Sequence, residues 1–192
     1  MEPPLETLVS LAFLAWFLSE VIGAGLVPVL RRGGGSTTRR AGRSSGGAIL
    51  LGILIAVVGL QVYSRLGWDT FSVGLIELGL LLMLAGIAIR QWAIAVLGRF
   101  FSPRVRVLEE HQVVERGPYR YVRHPSYTGA MLTMIGAGIA SGSWEGLLTM
   151  LGVAAVVFGY RIRVEERFLL EELGPEYAGY RRRTKRLLPF LY

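Results

Sequence analysis

The chain alternates between long runs almost free of charge and shorter segments crowded with arginine. Thr7 to Leu30 carries one charged residue, Glu20, in 24 positions. Gly46 to Ser64 carries none in 19, Phe71 to Ile89 one (Glu77) in 19, Ser126 to Trp144 none in 19, and Gly146 to Tyr160 none in 15. A helix needs about 20 mainly apolar residues to cross a bilayer, so the first four runs qualify. The fifth qualifies only by extending through Arg161. One such run reads equally well as a buried core helix; four in so short a chain do not. The pattern predicts an all-α, polytopic membrane protein with five transmembrane helices, over 7–30, 46–64, 71–97, 126–142 and 144–162. An amphipathic cytoplasmic helix over 163–186 is expected to follow, and residues 1–192 to form one integral-membrane domain. Gly138, Gly142 and Gly146, four apart, fit close packing around the fourth-to-fifth turn.

Composition narrows the chemistry. Apolar types make up 52 % and charged types 18 % of 192 residues, against roughly 25 % charged in a soluble domain. With no Cys there is no thiolate nucleophile, disulfide or Cys-ligated metal. Two histidines, His111 and His124, leave no basis for a His-rich metal centre, and no metal is expected. The net charge of +7 is sharply localised. Of 21 basic residues, 19 fall within 31–43, 99–123 and 161–186. Five spans put these three segments on one face, which the positive-inside rule makes cytoplasmic, with the N-terminus outside. Four spans would put the basic tail on the wrong side. The same arginines suit anionic headgroups, so membrane lipids are expected partners. Nucleic acid is not, because the charge is divided among membrane-flanking segments. The acidic start lacks the basic region of a signal peptide, so the first run is expected to be a retained span. Oligomeric state is not legible.

Residues able to do chemistry collect at the cytoplasmic boundary. Gly117-Pro118 is a turn signal. Pro125 is tolerated in a first helical turn, so the fourth span is expected to start there. Arg123 and His124 then precede a helix N-terminus, where N–H groups favour a carboxylate or phosphate. Tyr127, one turn on, would cover an aromatic or ribose face. Arg161 and Glu165 share one helical face. An exposed pair of that kind contributes roughly 0.3–0.5 kcal/mol. The short fifth run instead leaves Arg161 buried or interfacial, where ionised groups mark sites. Gly174-Pro175 is expected to end that helix. Its stripe of Val164, Phe168, Leu169 and Leu173 suits a membrane surface. Glu20 and Glu77 suit interhelical hydrogen bonding or protonation in place, with substrate contact as the alternative. Arg90 is expected to snorkel. Trp16, Trp68, Trp92 and Trp144 suit interfacial anchoring or packing.

Arg123-His124-Pro125-Ser126-Tyr127-Thr128-Gly129 resembles the RHPxYxG signature of the isoprenylcysteine carboxyl methyltransferase family. His111-x-Val113-Val114-x-x-Gly117-x-Tyr119 is similar to its preceding block, and Glu165-Glu166…Gly174-x-x-Tyr177-x-x-Tyr180…Leu188-Pro189 to its C-terminal block. The likeness covers about residues 90–192. It implies a protein-S-isoprenylcysteine O-methyltransferase-like enzyme that uses S-adenosylmethionine. The acceptor implied is lipidic, such as a prenylcysteine carboxylate; phospholipids or small thiols are alternatives. It further implies a cytoplasmic-side cofactor pocket formed by the segment before the fourth helix and the C-terminal helix. Carried over by position, His111, Gln112, Val113, Val114, Tyr119, His124, Pro125, Ser126, Tyr127 and Glu165 would contact the cofactor. Arg161 would hold the substrate, with Glu165 beside it. No further contact aligns upstream, around Ser102 to Arg106. The absence of Gly-x-Gly-x-x-Gly after a strand-like segment agrees, because it removes the soluble dinucleotide-type alternative. Membrane sterol reductases that use NADPH have a similar ending, Arg186 to Tyr192. Their larger span count and 2′-phosphate pocket argue against that reading. A non-catalytic membrane protein on the same scaffold is the third.

Overall fold

The computed structural model describes residues 5–22, 37–40, 71–101, 106–108 and 113–188. The expected second span, the end of the first, Trp68, and the expected cofactor contacts His111 and Gln112 lie outside the described residues. Four helices dominate: α1 (Leu5–Glu20), α2 (Val73–Leu97), α3 (Pro125–Ala140) and α4 (Trp144–Arg183). The all-α expectation is corrected by one small ribbon. Strand β1 (Thr37–Arg40) pairs antiparallel with β2 (Arg106–Leu108), Thr37 opposite Leu108 and Arg40 opposite Arg106. Both strands come from segments outside the apolar runs, and Thr37, Thr38 and Val107 are β-branched residues that favour extended backbone.

Among the described residues two helices, α2 and α4, are long and apolar enough to cross a membrane. The most apolar 18-residue window of α2 is 22 % buried and that of α4 28 %. The core helix of a soluble protein would hide most of such a window. Here Leu81, Leu84, Leu148 and Val156 point outward, as lipid contact requires. Helix α3 differs: it is shorter, at 16 residues, and ten of those residues are buried. It is the middle layer, packed on α2 along one side and on α4 along the other.

Glycine sets how close α2 and α3 come. A Cβ on Gly86 would stand 2.4 Å from the Thr133 nitrogen and 2.6 Å from the Gly129 oxygen. One on Gly136 would stand 2.5 Å from the Met83 nitrogen and 2.6 Å from the Gly79 oxygen. The glycines recur seven apart on each helix, so the two backbones touch antiparallel along a continuous seam. Around it Met83, Met134 and Met150 fill the centre with Ala137, Ala154 and Phe158, and α1 adds Ala12 and Trp16. Trp16 is therefore core; Trp92 and Trp144 are exposed.

The α3–α4 connection is a tight turn with Gly142 at φ 78°. Ser143 caps α4 by accepting from the Gly146 N–H at 3.1 Å. A Cβ on Gly138 would come within 2.8 Å of the Leu147 Cα, so the expected close packing at this turn is present. Helix α4 has no boundary at 162–163. It runs on to Gly174, whose φ of 50° and ψ of −123° interrupt it. Pro175 lacks the N–H that would continue the ladder. A shorter helical piece then ends at Arg183. The expected amphipathic helix over 163–186 is thus two pieces. The first continues α4 and buries Phe168 against the protein, rather than lying apart on the membrane.

Candidate active site

The segment leading into α3 is shaped by its turn residues. Gly117 takes φ 58°, and Gly117–Arg120 forms a single 3-10 turn with Pro118 at its start. Pro125 opens α3, and the His124 carbonyl accepts the first N–H groups, from Tyr127 and Thr128, both at 3.0 Å. The imidazole makes no cap bond. It stacks on Tyr127, with ring centroids 5.4 Å apart and planes at 14°, while Tyr127 leans on Phe158 of α4.

Glu166 ties three segments together. It is 4 % exposed and accepts from Arg123 Nε at 2.8 Å and from Arg186 Nε at 3.2 Å. His124 Nε2 lies 3.4 Å from the same carboxylate. Burial works to raise the Glu166 pKa, but the hydrogen bonds and charges of His124 and Arg123 outweigh it and bring it down to about 2. Arg123 also donates to the carbonyls of Arg181 and Thr184. The tail returns beside this segment as a single parallel bridge, Val122 with Lys185. Arg123 N–H donates to the Lys185 carbonyl at 2.8 Å and His124 N–H to that of Arg186 at 3.0 Å. Backbone pairing and a buried carboxylate thus fix Arg123 and His124 between α3, α4 and the tail.

The neighbouring carboxylate faces another way. Adjacent helical residues point about 100° apart, so Glu165 turns toward Tyr127 and accepts its hydroxyl proton. Arg161, 3 % exposed, donates Nε–H to the same hydroxyl at 2.7 Å. The guanidinium carbon lies 5.9 Å from the Tyr127 ring centroid. Arg161 and Glu165, expected from their spacing to share one helical face, are bridged by Tyr127. The result is an aromatic wall of His124, Tyr127 and Phe158 with a guanidinium and a carboxylate at its edge. Such a set can orient an anion on one side and pair with a cation on the other.

The other expected residues are also accounted for. Tyr119 is buried; burial first, then the Glu165 charge, holds its phenol well above its ordinary range, while Arg90 pulls the other way. Val113 and Val114 are partly exposed, and Val113 N–H donates to Glu176 at 3.1 Å. Pro125 and Ser126 are buried. Ser126 accepts from Arg90 rather than facing the aromatic wall alone.

Sequence reasoning quoted Glu166, Arg186 and Tyr177 within motifs but gave them no role in the site. Tyr177 is buried, and its hydroxyl has no hydrogen-bond partner among the described residues. Burial first, then the charges of Glu166 and Glu165, push its pKa up. Tyr180 is buried too, and its hydroxyl donates to the Tyr119 carbonyl at 2.7 Å. The Glu165-Glu166 doublet was a usable signal, since two carboxylates in the turn after Arg161 cannot both serve one partner. Arg90 corrects the snorkelling expectation: it is 9 % exposed and ion-paired with Glu20 at 2.5 Å. Glu77 is exposed on α2.

Residues 78–171 match the family model described as the isoprenylcysteine carboxyl methyltransferase (ICMT) family. A probable protein-S-isoprenylcysteine O-methyltransferase of Oryza sativa subsp. indica is 30 % identical over 115 residues, covering 59 % of this chain and 60 % of the rice protein. The protein-S-isoprenylcysteine O-methyltransferase of Saccharomyces cerevisiae is 34 % identical over 116 residues, covering 59 % of this chain and 48 % of the yeast protein. The chain thus spans about half to three fifths of the length of these relatives. In fold it is similar to a solved eukaryotic intramembrane Ras methyltransferase ICMT, with TM-score 0.62 and 24 % identity over 74 % of this chain and 52 % of that one. Residues 78–171, just under half of the chain, are thus similar in sequence to the isoprenylcysteine carboxyl methyltransferase family, and the fold is similar to that of a solved ICMT.

Proposed function

We propose that this protein is an integral-membrane, S-adenosylmethionine-dependent methyltransferase that O-methylates the carboxylate of a lipidic acceptor such as a prenylcysteine. The observation that carries the reading is the buried Arg161–Tyr127–Glu165 bridge beside His124. The accompanying topology has five spans, the N-terminus outside, and the site and C-terminus on the cytoplasmic face. The distribution of arginine supports it.

The residues present fit the methyl donor. Glu165 offers a carboxylate for a cationic group, the stacked rings offer a flat face, and Tyr177 brings a buried hydroxyl that lacks a partner among the described residues. We assign donor binding to Val113, Val114, Tyr119, His124, Pro125, Ser126, Tyr127 and Glu165, and by the family likeness to His111 and Gln112, which lie outside the described residues. When bound, S-adenosylmethionine supplies an electrophilic methyl group on a sulfonium. The chain's own work is positional. A carboxylate acceptor, with a reference pKa of roughly 4, is already ionised at neutral pH and needs no general base. Arg161 orients it through the charge of its guanidinium, and Tyr127 helps to fix the guanidinium plane. Holding the reactants near 3–3.5 Å with aligned orbitals supplies most of the rate, to the order of 7–11 kcal/mol in favourable cases. Phe158, packed beside Tyr127, keeps that edge of the site dry.

The test is transfer of a radiolabelled methyl group from S-adenosylmethionine to a prenylated cysteine with a free carboxylate, using the full chain in detergent. A carboxyl methyl ester is hydrolysed by mild alkali, whereas N-methyl and S-methyl products are not. Alkali-labile label supports the proposal. Alkali-stable label points to a phospholipid amine or thiol acceptor, and binding of NADPH with no transfer points to the reductase reading.

A further inference from the structure

Arg90 and Glu20 are the charged pair that the proposed reaction leaves unused. Both arise from nearly charge-free runs, at positions where an ionised group is costly unless it is paired. Arg90, near the end of α2, reaches α1 through Glu20: Nε lies 2.5 Å from Oε1, and Nη2 donates to Oε2 at 2.6 Å. Its remaining terminal nitrogen, Nη1, turns to α3 and donates to the Ser126 hydroxyl at 3.1 Å and the Ser126 carbonyl at 3.3 Å. One guanidinium therefore links three helices, and its contact on α3 is the residue immediately before Tyr127.

We infer that Arg90, held by Glu20, is a positioning residue that fixes the first turn of α3 and thereby sets Tyr127 between Arg161 and Glu165. Three further features of the structure agree. A Cβ on Gly129 would meet the Arg90 nitrogen at 2.6 Å, so the seam brings the Arg90 backbone directly against this turn. The His124 side chain makes no cap bond, so the N-cap residue's own side chain does not close this turn. Arg90 also acts on Tyr119, where its charge opposes that of Glu165, so its field reaches the site. A fork-shaped guanidinium can serve Glu20 and Ser126 at once. A lysine ammonium is a single point and cannot hold both in this geometry.

The role in catalysis rests on the proposed methyl transfer; the role in fixing the turn does not, and the test separates them. The full chain in detergent is compared with Arg90→Lys and with the charge-swapped pair Glu20→Arg/Arg90→Glu. The swap restores opposite charges between α1 and α2 but cannot donate to the Ser126 carbonyl. In both variants amide exchange over 125–129 is expected to quicken while α1 and the far end of α3 stay protected. In both, kcat is expected to fall about tenfold, with KM for the acceptor within about twofold, because misplacement degrades orientation more than binding. A swap that restores protection and kcat makes the pair a plain clasp between α1 and α2 and overturns the inference. Loss of protection throughout the chain in both variants does the same, as does wild-type kcat with an unaltered first turn. Quickened exchange at 125–129 with no methyl transfer by the wild-type chain fails the proposed function and leaves the positioning of the turn standing.

Discussion

Arg161 donates its Nε–H to the Tyr127 hydroxyl across 2.7 Å, and that hydroxyl passes its own proton toward Glu165. A phenol thus links two residues that sequence spacing places on one helical face. The arrangement divides one residue's duties: the Tyr127 ring belongs to the stacked wall with His124, and its hydroxyl belongs to the guanidinium.

That division is testable. Tyr127→Phe keeps the ring and loses the hydroxyl, so kcat for methyl transfer should fall by about tenfold to a hundredfold while affinity for S-adenosylhomocysteine changes little. Tyr127→Ala and His124→Ala remove the wall and should weaken that affinity. Arg161→Ala should abolish turnover and largely spare affinity. Equal loss of affinity in all four variants, measured by calorimetry, removes the separation of roles.

Glu166 predicts an acid limit. Its folded-state pKa of about 2 lies below the unfolded value, which is about 4.3. The carboxylate therefore stabilises the fold fully above the unfolded value, and that contribution is lost as pH falls from about 4 toward 2. Glu166→Gln lacks the charge, so its unfolding midpoint in detergent should sit below that of the wild type at pH 7, with the gap closing in acid. A gap independent of pH contradicts the assignment. Glu166→Ala leaves Arg123 buried without its carboxylate and should cost about 3–5 kcal/mol.

The glycine seam predicts opposite outcomes at two helical glycines. At Gly86 a Cβ would stand 2.4 Å from backbone, so Gly86→Ala should force α2 from α3 and lower the unfolding midpoint. At Gly152 nothing lies within 4 Å. There Gly→Ala should be neutral or stabilising by up to about 1 kcal/mol. Similar midpoints for the two variants would contradict the close contact described.

The helices among the described residues were legible because each is a long apolar run, and the start of α3 because Pro125 announces it. The extent of α4 was not. Arg163, Glu165 and Glu166 lower its hydropathy without breaking its backbone, and only Gly174-Pro175 does that. The small-residue signal was read at Gly138 and Gly142, yet the tighter seam uses Gly79, Gly86, Gly129 and Gly136, spaced seven apart on two distant segments. At the site, the structure brings His124, Tyr127, Arg161 and Glu165 together. The partners of Glu166 and Arg90 were hidden, because a carboxylate and a guanidinium can meet only after residues 43 and 70 positions apart are folded together.

The most direct measurement of the central claim is titration of S-adenosylhomocysteine into the detergent-solubilised full chain, beside NADPH and beside His124→Ala. Saturable binding of the sulfur nucleoside, no binding of NADPH, and an affinity weakened about tenfold by His124→Ala are expected if the stacked wall is the donor site. Binding of NADPH instead, or S-adenosylhomocysteine affinity indifferent to His124, would contradict it.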